Sequence, residues 1–424
     1  MIRDSELAPL ETGHTVFDFS RFKRSLGIPS DRNVAISDEA KTRLSYMLQN
    51  YSLDDWKYYL RWKTLLAFNA YLPSVFHLNY PRPTVAATSH ETLPPIDPSL
   101  RLLMNTMPDA LHAFYLKRAI PPQRIAQLQS AFMQTRYALR EHLATRRWLS
   151  EATRRVALQK LATMKVFLAR PERWVDYSDL IINPTTLIEN VKRAAHFNLA
   201  RQISLIGQAK ELGRERWTQD SPELYYQPES NSVVIGPTIV QSILLGTPQN
   251  LAHTLGGLGS LLAHEMLHAF DIPDNQENKP PHWPNTKQWL QPNEAHHYLA
   301  MVNRQLHYVK TLVQQDYGIS VNQPRWIGED FADIGSAAVA LRALRRAQGH
   351  LSTDSAKRFF QAFALARREK RSIKDERLAA QYEGWAGKYR INGVVSNMPE
   401  FIQAYGCTEG DQMVRPDNMR ISVW

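Results

Sequence analysis

Two histidines and a glutamate in the second half of the chain stand at a spacing that suits metal coordination. Residues 261–271 read Leu-Leu-Ala-His-Glu-Met-Leu-His-Ala-Phe-Asp. On a helix, His264 and His268 are four residues apart, so both imidazoles leave the same face and can reach one metal ion. Glu265 projects about 100° around the helix from His264. We therefore expect Glu265 to act as a general base on a metal-bound water and not as a ligand.

A second segment offers the ligand that two histidines still lack. It reads Ile-Gly-Glu-Asp-Phe-Ala-Asp-Ile-Gly-Ser over residues 327–336. Glu329 supplies an oxygen and a negative charge, as a catalytic zinc site with two histidines requires. Asp333, one turn further, and Asp271, three residues after His268, can each accept the outer N–H of a ligand histidine and fix its tautomer. The two segments together predict one Zn²⁺ ion per chain, bound by the two histidines and Glu329.

The elements that must position these residues are predicted to be mainly helical. Apolar residues recur at helical spacing over residues 34–70, over 99–165 and near 185–206. Residues 224–235 differ, because they read as a strand, a turn and a second strand. Helices return from about residue 251. The glycines before the histidine helix lack a phosphate-binding pattern and indicate close helix packing; they are Gly256, Gly257 and Gly259.

A break in composition at residues 213–222 is the predicted domain boundary. It divides the chain into a helical N-terminal lobe over residues 1–215 and a zinc catalytic domain over 216–424. Residues 80–97 are rich in Pro, Thr and Ser and are predicted to form a surface loop.

Composition narrows the class of protein. The chain has 424 residues with 43% hydrophobic content, which is ample for a large core. Its formal net charge is +10, but the basic residues are scattered, so no nucleic-acid partner is expected. The densest basic run, residues 367–371, is interpreted as a solvated helix face. With one cysteine, Cys407, no secretory h-region and no long apolar span, the expected location is cytoplasmic, without a membrane partner.

Several longer motifs point to a known family. They include Leu53–Trp62 near the start, Tyr-Arg-Ile-Asn-Gly at 389–393, Ser-Asn-Met-Pro-Glu-Phe at 396–401, and Val-Trp at 423–424. With the two metal-site segments, they resemble the neprilysin and endothelin-converting-enzyme family of zinc metallopeptidases, here in a shortened, divergent form. The resemblance implies a mainly α, two-lobed zincin. Its thermolysin-like catalytic lobe carries a small β element, and a helical N-terminal lobe helps to enclose a central chamber.

The same resemblance implies further site residues. The family holds the substrate backbone against an Asn-Ala-Tyr-Tyr strand, which matches Glu223, Leu224, Tyr225 and Tyr226 here. An ionised Glu223 cannot donate a hydrogen bond as the family's asparagine does, and is expected instead to attract a cationic group. Arg390 matches a family arginine and is expected to bind the substrate carbonyl oxygen or to support the site.

Two departures from the family pattern affect the expected activity. Gly384 stands where relatives carry a histidine that stabilises the oxyanion, and losing one such donor costs about 2.7–4 kcal/mol. Tyr382, Tyr389 or a histidine from elsewhere are candidates to replace it. Family members are also much longer, with the missing part before residue 1 and around residues 80–97. We therefore expect a more open cleft and slow hydrolysis of ordinary peptides, with better activity either on one preferred substrate or with a partner chain that closes the cleft.

The leading interpretation is a zinc metallopeptidase that hydrolyses peptide or amide bonds through a zinc-activated water, with Glu265 as the base. One alternative is a zinc enzyme that acts on a specialised small amide in a biosynthetic pathway. Another is a zinc-bearing binding protein without turnover. Glu265 argues against the last alternative, because binding alone does not require a base.

Overall fold

The computed structural model describes residues 19–29, 38–72, 97–168, 173–206, 224–236, 239, 250–271, 290–319, 327–378 and 387–423. The N-terminal helices are α1 (Phe19–Ser25), α2 (Asp38–Asn50), α3 (Leu53–Phe68), α4 (Pro98–Thr106), α5 (Pro108–Ala119), α6 (Pro122–Ala144) and α7 (Glu151–Thr163). They are followed by β1 (Lys165–Leu168), α8 (Leu187–Ser204), β2 (Leu224–Gln227), β3 (Ser232–Ile235), α9 (Leu251–Thr254) and α10 (Ser260–Leu267). The remaining helices are α11 (Pro292–Tyr317), α12 (Ile327–Gln348), α13 (Thr353–Ala366), α14 (Ile373–Leu378), α15 (Gly387–Val395) and α16 (Pro399–Tyr405).

These elements confirm the prediction of a mainly helical chain with one small β element. The strand, turn and strand predicted over 224–235 form as β2 and β3. Most of the predicted loop over residues 80–97 lies outside the described residues. None of the helices that the structure describes is both long enough and apolar enough to cross a membrane.

The chain forms two compact units. The first comprises Met1–Leu111 and Val175–Glu211, and the second comprises His112–Trp174 and Leu212–Trp424. Residues 112–174 therefore belong to the same unit as the residues expected to bind zinc. The predicted boundary at residues 213–222 lies outside the described residues, and the division into 1–215 and 216–424 stays a prediction.

Local interactions define helix ends and contacts in the first unit. The Ser52 hydroxyl accepts a hydrogen bond from the Asp55 amide while the Asp55 carboxylate bonds back to the Ser52 amide, a capping box that starts α3. The Asn198 side chain on α8 donates to the carbonyl oxygen of Thr106 at the end of α4, over 2.9 Å. Tyr177 stacks on Phe197, with 5.4 Å between ring centroids.

The second unit has an extensive apolar core beneath the expected metal site. In α6 the buried residues recur at three- and four-residue spacing, which gives this 23-residue helix one apolar face. The apolar residues of α10 that pack into the core are completely buried; they are Leu262, Ala263, Met266 and Leu267. In α12, Phe331, Ala332 and Ala337 are also fully buried. The helices that carry the predicted ligands are thus held by hydrophobic packing along much of their length.

A three-stranded sheet with the order β1-β3-β2 lies in the same unit. β2 and β3 pair antiparallel, with Tyr226 opposite Val233, and Asn231 occupies the left-handed conformation in the turn between them, with φ of 47°. β1 pairs parallel with β3. The sequence analysis did not predict β1, because the partner that stabilises these four residues lies more than 60 positions later in the chain.

The close packing predicted for the glycines before α10 is present at Gly256. Residues Leu255–Gly259 form one π-helical turn, all of it buried, between α9 and α10. A Cβ atom on Gly256 would lie 2.2 Å from the carbonyl oxygen of Phe359 in α13. Since backbone atoms form this contact, α13 cannot move aside cheaply. Gly256 thereby sets how closely α13 approaches the segment that leads into α10, which carries the two candidate histidine ligands.

We expect Gly256→Ala to lower the free energy of unfolding by about 3 kcal/mol, because the added methyl group overpacks a backbone contact. Gly393→Ala is the matched control: this glycine also lies in a helix, but its Cβ would have no atom within 4 Å. The control should be neutral or slightly stabilising. Urea denaturation of both variants measures the difference, and equal stabilities would contradict this account of Gly256.

Candidate zinc site

His264 and His268 lie at the end of α10 and converge on one point. His264 is in the last full turn of α10, and His268 begins the 3-10 turn that follows. Their Nε2 atoms are 3.0 Å apart, and the two rings are nearly perpendicular. His264 is 5% exposed, so its imidazole is held within the protein rather than in solvent. This geometry follows from the spacing of four residues that the sequence showed.

Glu329, in the first turn of α12, closes the set of ligand atoms. Its Oε2 lies 3.2 Å from His264 Nε2, and its Oε1 lies 3.4 Å from His268 Nε2. Ligand atoms of a tetrahedral zinc ion lie about 3.3 Å from one another when each zinc–ligand bond is about 2.0–2.1 Å long. The donor set and its separations therefore fit zinc. Within the described part of the chain, this is the one cluster of three or more such side chains able to hold a metal ion.

A carboxylate stands behind each histidine. His268 Nδ1 is 2.6 Å from Asp271 Oδ2, and His264 Nδ1 is 2.9 Å from Asp333 Oδ1. The contact of His264 departs from an ideal N–H···O alignment. With carboxylates at both Nδ1 atoms, the Nε2 lone pairs are the ones directed at the shared point. Asp271 and Asp333 thus each lie next to the Nδ1 atom of a candidate ligand histidine, as the sequence predicted.

Asp333 also binds two arginines. It is 1% exposed, and its Oδ2 accepts a hydrogen bond of 2.6 Å from Arg390 Nε, while Oδ1 accepts one of 3.1 Å from Arg367 Nε. Arg390, in α15, also donates from Nη2 to Glu329 Oε2 over 3.2 Å. The arginine predicted from the family pattern therefore contacts both the third ligand and the carboxylate behind the first. These hydrogen bonds connect Arg390 to both carboxylates.

Arg367 was not predicted as a site residue. The run 367–371 was interpreted as a solvated helix face, and for Arg367 this was wrong: α13 ends at Ala366, and Arg367 is 8% exposed. Its guanidinium stacks on Phe363 and donates to the hydroxyls of Ser260 and Ser336, in addition to Asp333. Because the run as a whole is polar, the sequence does not reveal that Arg367 continues the buried face of α13. The buried serines in α10 and α12 were the available clue, since each requires a polar partner.

The electrostatics of the site favour a cation at the shared point. Burial alone would lower the pKa of His264, but the Asp333 and Glu329 carboxylates raise it to about 9. Burial would raise the pKa of Glu329, yet its hydrogen bond and charge interaction with His264 lower it to about 2. The pKa of Asp333 lies well below its usual value, because Arg367 and His264 outweigh the effect of burial. The carboxylates thus stay ionised and draw positive charge between the ligand atoms.

Glu265 contacts β2 and lines the same cavity as the candidate ligands. Its Oε2 accepts a 2.9 Å hydrogen bond from the backbone amide of Tyr226 in β2. Burial raises the pKa of this carboxyl group. A cavity of about 570 Å³ opens beside it, and its lining residues are Leu224, Tyr225, Tyr226, Pro228, Leu261, His264, Glu265, His268, Asp271, Glu329 and Arg390. The three predicted zinc ligands and the predicted base thus line the same cavity.

The predicted substrate strand borders this cavity in part. Leu224 and Tyr225 line it, and among the described residues β2 lies at the edge of the sheet. Because the Tyr226 amide bonds to Glu265, the polar backbone groups at this position face away from β3 and toward the site. Glu223, Gly384 and Tyr382 lie outside the described residues, whereas Tyr389 is buried and donates its hydroxyl to Asp316 over 2.7 Å.

Comparison with known proteins identifies the family. Two models of peptidase family M13 match the chain, one over residues 3–171 and the other over residues 223–421, so together they cover most of it. The chain belongs to peptidase family M13. The resemblance inferred from the zinc-site motifs is thereby confirmed.

Individual M13 relatives are distant in sequence. The neutral endopeptidase of Lactococcus lactis strain IL1403 is 27% identical over 288 residues, which are 66% of this chain and 44% of that protein. Human endothelin-converting enzyme 1 is 24% identical over 348 residues, which are 76% of this chain and 43% of that enzyme. The chain thus spans less than half of the length of these relatives.

The fold is similar to that of the Mycobacterium tuberculosis zinc metalloprotease Zmp1. The crystal structure of Zmp1 with an inhibitor has a TM-score of 0.73 at 22% identity, covering 99% of this chain and 65% of that chain. The open state seen by cryo-electron microscopy has a TM-score of 0.76 at 23% identity, covering 98% and 67%. At these identities the likeness shows the M13 fold.

We expect Arg367→Leu to lower the free energy of unfolding by about 3–5 kcal/mol, because it leaves the buried Asp333 charge with one guanidinium fewer. Zinc affinity should fall about 10–100-fold, since Asp333 would hold His264 less firmly. Arg368→Leu is the matched control: it removes the same charge from the exposed neighbouring position. If the two variants have equal free energies of unfolding and equal zinc affinities, Arg367 does not hold the site together.

Proposed function

We propose that this protein is a zinc-dependent metallopeptidase that cleaves peptide bonds within the cavity beside β2. The observation that carries the proposal is the position of Glu265. Its carboxylate lies next to a two-histidine and glutamate ligand set and opposite an edge strand. A binding site alone would need the ligands but not this base.

One zinc ion per chain would be held by His264, His268 and Glu329. When bound, zinc supplies a Lewis acid for the scissile carbonyl and lowers the pKa of a coordinated water. Asp271 and Asp333 keep the two imidazoles in the tautomer that presents Nε2. Three protein ligands would leave a fourth position for water or substrate, as catalytic zinc sites require.

Glu265 is the proposed proton carrier. The hydrogen bond from the Tyr226 amide to Oε2 restrains the carboxylate beside the cavity. No donor in the described part of the chain bonds to Oε1, and we assign this oxygen to accept the proton of the attacking water and to pass it to the leaving amine. The hydrogen bond with β2 also links the base to the strand that would align the substrate.

Arg390 has a supporting role and a second role that involves the substrate. Its Nε and Nη2 bind Asp333 and Glu329. Its Nη1 has no acceptor among the residues that the structure describes, and it is our candidate to donate to a substrate carbonyl oxygen. Asp333 acts through its contacts, by holding both His264 and Arg390.

The substrate would lie along β2. Leu224 and Tyr225 border the cavity, and adding a strand to a sheet edge provides main-chain hydrogen bonds for an extended peptide. A preference for cationic groups near Glu223, an oxyanion donor in place of Gly384, a partner chain that closes the cleft and a cytoplasmic location all stay predictions. The specialised small amide stays the alternative substrate class.

We expect Glu265→Gln to keep its zinc and fold but to lose about 10²–10⁴-fold in kcat, because the amide cannot accept a proton. The assay is digestion of a pool of unrelated peptides, followed by mass spectrometry, with zinc content measured on the same samples. Glu409→Gln, at an exposed turn, is the control and should match the unmodified protein.

Two outcomes would count against the proposal. A Glu265→Gln variant that retains kcat would remove Glu265 as the base. A zinc-loaded, folded protein that cleaves no peptide in the pool would exclude general peptidase activity, and turnover of small amides by the same sample would then favour the alternative class.

A further inference from the structure

A second cavity in the same compact unit is strongly basic. Its volume is about 530 Å³, within the range of sites that bind small molecules. Four arginines and two glutamates are among its lining residues; the full lining is Glu141, His142, Arg146, Ala338, Leu341, Arg342, Arg345, Arg346, Gly349, Met398 and Glu400. None of them lines the cavity beside β2. The positive charge around this cavity is therefore a separate feature of the fold.

Two of the four arginines are already neutralised. Arg345 pairs with Glu400 over 3.1 Å, and Arg346 pairs with Glu141 over 3.2 Å. Both arginines also lie in the last turn of α12, where positive charge is stabilised by the helix dipole. The two salt bridges and the helix dipole thus account for the positive charges of Arg345 and Arg346 without a bound ligand.

The other two arginines have no carboxylate partner in the part of the chain that the structure describes. Among the residues that the structure describes, Arg146 donates to two neutral oxygens, the carbonyl of His142 and the hydroxyl of Ser422. Arg342 makes no hydrogen bond or ion pair there, although it is half-buried and not at the end of α12. Each guanidinium thus retains donors in a fork geometry that matches carboxylate and phosphate oxygens.

The two unpaired arginines lie close enough to affect each other. Burial and the nearby Arg342 lower the pKa of Arg146. His142 adds no charge, because burial and Arg146 hold its pKa at about 3. Since neither guanidinium has a carboxylate partner among the described residues, an anion bound between Arg146 and Arg342 would reduce their mutual repulsion.

We propose that this cavity binds a soluble small molecule bearing two or more negative charges on phosphate or carboxylate groups, with Arg146 and Arg342 as its principal contacts. The cavity is larger than one phosphate ion requires, and it has room for a ligand that carries two linked anionic groups. The site is separate from the zinc site. Arg342 lies nine residues after Asp333 in α12, which is about 14 Å along the helix axis.

The test measures binding of inorganic pyrophosphate to the zinc-loaded full chain by isothermal titration calorimetry. Citrate in a parallel titration distinguishes carboxylate from phosphate recognition. We expect Arg342→Gln and Arg146→Gln each to weaken binding at least about tenfold, because each removes charged hydrogen-bond donors. Arg140→Gln is the matched control: it removes the same charge from an exposed position of α6 outside the cavity, and should bind like the unmodified protein.

Three results would overturn the proposal. The first is no binding of either anion. The second is binding that persists in both cavity variants but disappears in His264→Ala, which would place the anion on the zinc ion. The third is binding only to vesicles that contain phosphatidic acid, which would assign the charge to a lipid surface. Thermal unfolding of each variant verifies the fold, and a folded Arg342→Gln variant that binds normally decides against the site.

Discussion

The buried carboxylate of Asp333 is the interaction on which the site depends. It contacts His264 on one side and the guanidinium groups of Arg367 and Arg390 on the other. These three partners come from α10, from the residue after α13 and from α15, while Asp333 belongs to α12. One carboxylate therefore connects four separate parts of the chain, and one of them carries the candidate ligand His264. A charge this deeply buried is tolerable only because two cations and an imidazole share it.

The other features of the site follow from this constraint. Arg367 also binds Ser260 in α10 and Ser336 in α12, so the helix of the histidines and the helix of Glu329 share one polar anchor. Gly256 permits the close approach of α13, which ends at Arg367. Arg390 extends the network to Glu329 itself. The ligand set is consequently fixed from behind, whereas its front faces the cavity and β2.

Much of the site was predictable because its chemistry is local in sequence. His264 and His268 are four residues apart, as are Glu329 and Asp333. On a helix, this spacing places both members of each pair on the same face. The contacts of Arg367 were not predictable in the same way, since they join residues more than 30 positions apart. The strand β1 was missed for the same reason: its partner β3 is distant in sequence. The family pattern identified Arg390, which spacing alone would not have found.

X-ray absorption at the zinc edge of the zinc-loaded protein tests the central claim most directly, because it reports the ligands of the metal itself. The account predicts four nitrogen or oxygen ligands at about 2.0–2.1 Å, with the multiple-scattering pattern of two imidazoles. A zinc–sulfur distance of about 2.3 Å, or a pattern that requires fewer than two imidazoles, would contradict a site built from His264, His268 and Glu329.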